Sequence, residues 1–213
     1  MRRAFCVTFV ALAGLVIGSF ARAQTSEKPA VCPGMNGAKL PTRVTYDDGS
    51  ALTVVDRSGG KMYQEVMTPN GRKQYVVTYN GLFVLTSDVP TAKREQIAKL
   101  EQTWKQDLAQ FFPLKVGEHI LADASTTTSV TDAAMNFVTE MTVGGVETVQ
   151  IGACDYPVLK IDVRTQFRGG PVGTATHYYH QASMLPLRSL ITTIPTTPDA
   201  PVKIVERRAV KIE

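Results

Sequence analysis

The chain has 213 residues with 44% hydrophobic content, 23 Lys and Arg against 19 Asp and Glu, and three cysteines. That length suits one good hydrophobic core and is short for two. Three of the basic residues, Arg2, Arg3 and Arg22, sit in the N-terminal leader; without them 20 basic residues face 19 acidic ones, a formal charge of +1. The global basic excess of a nucleic-acid binder is thereby excluded.

Residues 1–23, MRRAFCVTFVALAGLVIGSFARA, place two arginines before an apolar run and end in Ala21-Arg22-Ala23. This layout predicts a cleavable secretory signal. A membrane anchor needs about 20 apolar residues, and the run from Ala4 to Phe20 falls short of that. Gln24 follows the expected cleavage site, so no cysteine there receives a lipid. The expected location is periplasmic or secreted, with no integral membrane segment in the mature chain.

Of the cysteines, Cys6 leaves with the leader, and Cys32 and Cys154 remain. An even count in an oxidising compartment predicts a disulfide between them. The competing reading of Cys154 as a catalytic or redox thiol needs a nearby base that spacing alone does not supply.

Residues 24–38, QTSEKPAVCPGMNGA, read as an extended N-terminal tail, and 39–213 as a single β-rich domain. From Arg43 onward, short strands alternate with turns. Asn70-Gly71 and Asn80-Gly81 bracket KQYVVTY and predict a meander, because the favoured hairpin turn needs positive φ at both central residues. Between Thr91 and Phe112, Ile97, Leu100, Trp104, Leu108 and Phe111 recur at spacings of three or four. This predicts one long amphipathic helix at about 91–112, framed by Pro90 and Pro113.

FPLKVGEHILAD reads as a turn into a strand, and the polar, Thr-rich ASTTTSVTDAAMNF fits no pattern. Gly144-Gly145 predicts a hairpin between Phe137–Val143 and Val146–Ile151. Leu159 to Arg168 alternates apolar and polar residues, the cleanest period of two in the chain. The last strand shows Val202, Ile204, Val210 and Ile212 at one parity, and the basic cluster with Arg207-Arg208 reads as its solvent face. ITTIPTTPDAP before it reads as a loop.

For chemistry the chain offers His119, His177 and His180, of which the last two lie on one predicted strand and point to opposite faces. No HExxH, CxxC, nucleophile elbow or Gly-rich phosphate loop is present. No metal site, cofactor or catalytic residue is therefore assigned. Trp104, Leu108, Phe111, Tyr178, Tyr179 and Met184 are the residues that either face an apolar ligand or fill the core.

The stretches VGGVETVQIGACDYPVLKIDV and GTATHYYHQASMLPLRSLI, with FPLKVG at Phe112–Gly117, resemble a family of uncharacterised periplasmic proteobacterial β-rich proteins. That resemblance covers about residues 112–191. It implies an antiparallel sheet curling around a helix, in outline like periplasmic lipoprotein carriers that hold acyl chains, and it implies no enzyme activity.

The expected fold is mainly β (α+β), a strongly curved antiparallel sheet or half-open barrel wrapped around one long helix. The expected function is a non-catalytic periplasmic module that binds an apolar or lipid-like ligand or an envelope component. A structural or protein-interaction factor of the envelope, using a strand edge or Tyr178-Tyr179, is the second reading. An enzyme using Cys154 or a histidine is the third.

Overall fold

A computed structural model describes residues 31–35, 39–90, 97–170, 172–193 and 202–213. The leader, most of the tail and most of ITTIPTTPDAP lie outside the described residues. Twelve strands run in chain order: β1 Arg43–Tyr46, β2 Ala51–Ser58, β3 Lys61–Met67, β4 Lys73–Tyr79, β5 Phe83–Pro90, β6 Ile97–Trp104, β7 His119–Thr128, β8 Thr131–Ile151, β9 Cys154–Phe167, β10 Val172–His180, β11 Leu185–Thr193 and β12 Lys203–Ile212. Sequential strands pair antiparallel, and β1 pairs with β12, so the sheet closes into a barrel. Closure satisfies the backbone groups that an edge strand would leave unpaired.

Turn chemistry explains the hairpins. Asn80 (φ 46°) and Gly81 (φ 73°) both take the positive φ that the β4–β5 turn requires. Tyr79 pairs with Phe83 on either side of it.

The core forms two apolar clusters. One joins Val44, Tyr46, Met62, Tyr156, Val158 and Tyr178, with Leu185 and Leu187. The other joins Phe83, Leu108, Ile120, Met141, Leu159 and Tyr179. Val158 and Leu159 are neighbours on β9, and Tyr178 and Tyr179 are neighbours on β10, yet each pair divides between the clusters. Successive strand residues point to opposite faces, so β9 and β10 are covered on both sides there.

Three expectations are corrected. The sheet is a closed barrel rather than a half-open one, and among the described residues it wraps no long helix. Residues 91–96 lie outside the described residues, Ile97–Trp104 is strand β6, and Leu108–Phe111 forms only a four-residue 3-10 turn, η1. Ile97, expected on the buried stripe, is 64% exposed. Asp107 caps η1, its side chain accepting from the Ala109 N–H at 3.0 Å.

The second correction concerns Gly144-Gly145, where β8 continues unbroken instead of turning back. Its pairing with β9 shifts by one residue between Val143 and Val146, which makes a bulge. A Cβ on Gly144 would stand 3.2 Å from the Lys160 carbonyl oxygen, so a residue without a side chain suits the close approach. The third correction is on β12, where Ile204 and Val210, like Val202 just before the strand, are exposed while Ala209 is buried and Arg207 half-buried. Inward parity on β12 is therefore odd through Ala209 and changes at the irregularity in its pairing with β1, beyond which Ile212 packs against the first cluster.

Candidate functional site

Alternation along β8, β9 and β10 gives the sheet two differently lined faces. Glu140, Thr142, Asp162, Arg164, Thr174 and Thr176 contribute to an open cleft of about 530 Å³ on one face. Several of its polar groups are already engaged: Thr176 Oγ1 donates to Asp162 at 2.6 Å, Thr174 Oγ1 donates to Thr192 at 2.9 Å, and Glu140 Oε1 lies 2.8 Å from His119 Nε2 outside the cleft lining.

The other face carries an open cleft of about 370 Å³ between β5–β6 and β8–β11. Trp104, Phe137, Met141, Val163, Phe167 and His177 line it. The aromatic wall is ordered by ring contacts: Trp104 meets Phe83 at 4.9 Å and Phe137 at 5.5 Å edge-on, and Phe137 meets Phe167 at 5.4 Å in a tilted arrangement, all between ring centroids. The indole N–H of Trp104 donates to the Val84 carbonyl at 2.8 Å, which fixes the ring and leaves its apolar body along the cleft. Thr139 and Thr165 share a hydrogen bond at 3.2 Å and add a weakly polar stripe. The volume falls within the range of small-molecule pockets, roughly 300 to 1,000 Å³.

His177 is the titratable group of this cleft. Its Nδ1 lies 2.9 Å from Ser189 Oγ. Burial, and then the nearby Arg207 charge, pushes its pKa down to about 4, so it is neutral at physiological pH.

Of the six residues offered from sequence as ligand-facing or core, Trp104 alone lines this cleft. Leu108 is buried and Phe111 half-buried beside Phe83 in the second cluster. Tyr179 is 1% exposed and donates its hydroxyl to the Asn80 carbonyl at 2.7 Å, with its pKa raised by burial. Tyr178 is buried in the first cluster under the Arg188 guanidinium, 4.7 Å from the ring centroid. Met184 (φ 58°) is half-buried against both clusters.

His180 is buried, its Nδ1 2.8 Å from Ser183 Oγ and its ring edge-on to Tyr156. The three histidines thus have separate partners. Among the described residues, no group of three His, Cys, Asp or Glu side chains is placed to hold a metal ion. Cys32 and Cys154 form the expected disulfide, leaving no thiolate at Cys154.

Sequence reading missed Phe137, Met141, Phe167 and Arg207. The first three share odd parity on β8 and β9; the apolar face of β9 that includes Phe167 was legible, but nothing in the sequence marked it as the wall of a cleft.

No family model matches the chain, and no curated protein matches it. Among solved structures it is distantly similar to the crystal structure of the hypothetical lipoprotein YmcC from Escherichia coli (K12), with 16% identity, a TM-score of 0.46, and coverage of 81% of this chain and 85% of that one. No helix among the described residues is long and apolar enough to cross a membrane.

Proposed function

We propose that the protein is a non-catalytic binding module of the periplasm or extracellular space, and that it holds an apolar chain in the cleft beside Trp104. The observation that carries this reading is the cleft itself. A continuous aromatic and aliphatic wall stands open to solvent, where close packing would otherwise fill it. The leader-like residues 1–23 and the disulfide support an oxidising location. In this reading residues 24–38 are a tail fastened through Cys32 to a single domain spanning 39–213.

The interaction-factor reading loses the surfaces it relied on. Among the described residues the closed barrel leaves no free strand edge, and Tyr178 and Tyr179 are buried.

Native mass spectrometry after incubation with dodecanol tests the proposal, with Ala175→Phe as the control that fills the cleft. A one-to-one adduct on the wild type that the variant lacks is expected. No adduct, or an equal adduct on both proteins, overturns it.

A further inference from the structure

His177, Ser189 and Arg207 stand side by side across β10, β11 and β12, each paired directly in register with the next. Directly paired residues share a face of the sheet. His177 lines the aromatic cleft, so the row leads from the cleft wall to Arg207. Arg207 is half-buried as a residue, and its guanidinium carbon lies 3.9 Å from the centroid of the Tyr46 ring.

No carboxylate among the described residues makes an ion pair with Arg207. Its neighbours in sequence and on the sheet differ in this respect, because Arg208 and Arg188 both bind Glu206 at 2.8 Å. The nearby acids are engaged elsewhere: Asp48 accepts from Ser50, and Asp47 accepts from the Arg208 N–H. A guanidinium taken partly out of water without a counter-ion is unfavourable. An anion at its N–H edge relieves that cost.

We infer that the ligand of the cleft is an amphiphile with one apolar chain and an anionic carboxylate or phosphate head, the chain lying along Trp104, Phe137 and Met141 and the head at Arg207. This rests on the cleft reading above. The guanidinium fork matches the two oxygens of a carboxylate or phosphate. The Tyr46 ring beneath it holds the plane of the fork. His177 beside it is uncharged at neutral pH, so the positive charge of the row belongs to Arg207.

The test uses the full chain with three probes that share one tail: dodecanoate, dodecyl phosphate and dodecanol, each below its aggregation concentration. Calorimetric titration is expected to show at least one anionic probe binding about tenfold more tightly than the alcohol, and which anion does so identifies the head group. Arg207→Gln is expected to abolish that preference while dodecanol affinity stays within about twofold, which also shows that the variant is folded. Arg207→Lys keeps the charge without the fork and is expected to retain a reduced preference.

Equal affinity for all three probes in the wild type overturns the anionic head and leaves the apolar cleft standing. So does a preference that survives Arg207→Gln. Failure of all three probes to bind overturns the cleft reading and this inference with it.

Discussion

Cys32 and Cys154 are joined by a disulfide across 122 residues of sequence, with their Cα atoms 5.7 Å apart. The bond ties the segment before β1 to the first residue of β9, and Cys154 and Met35 pack in the first core cluster. A cross-link of this span restricts the unfolded chain more than the folded one. Cys32→Ala with Cys154→Ala is expected to lower unfolding stability by about 2 to 4 kcal/mol. Urea denaturation of the oxidised wild type and the double variant measures this, and coincident midpoints would refute it.

Gly81 has a φ of 73° at the β4–β5 turn, and a Cβ there would overlap the Met184 carbonyl oxygen. Backbone strain and overlap add, so Gly81→Ala is expected to destabilise by more than about 3 kcal/mol. Gly71→Ala, with φ 78° but open space at the Cβ position, pays only the backbone strain. A smaller loss in thermal or urea unfolding for Gly71→Ala than for Gly81→Ala is predicted; the reverse order would count against the turn geometry.

The Asn-Gly turns and the alternation of β9 were legible because each follows from local chemistry alone. The helix was misread for an equally physical reason. Leu100 and Trp104 are four residues apart, a spacing that suits one helix face and, being even, one strand face as well. The strand solution shows in the alternation of Ala98, Leu100, Gln102 and Trp104 with exposed Lys99, Glu101 and Thr103. Closure of the barrel depends on pairing β1 with β12, whose residues are far apart in sequence, and no local pattern encodes that. Arg207 read as a surface charge for the same reason, since its burial comes from Tyr46 on β1.

The pH dependence of stability follows from His177. Its pKa is held down at about 4 from the ordinary 6.5, by burial first and by Arg207 second. Between those values the unfolded chain binds more protons than the folded one. The stability is therefore full above the unfolded pKa and is lost as pH falls toward the folded one, by up to about 3 kcal/mol. His180, also held low by burial, adds a loss of the same sign. Glu206, held low by Arg208 and then Arg188, acts only below the ordinary carboxylate range. Urea midpoints at about pH 7 and about pH 5 are expected to fall for the wild type and to fall less for His177→Asn. Equal pH dependence in the two proteins would contradict this.

Trp104 is the one tryptophan of the chain and forms part of the cleft wall. Its emission therefore reports directly on whether an apolar chain occupies that space. Titrating the protein with dodecanol below its aggregation concentration is predicted to give a saturable change in tryptophan emission that Ala175→Phe abolishes. A flat titration, or an unchanged response in the filled variant, would contradict the assignment of the cleft as the binding site.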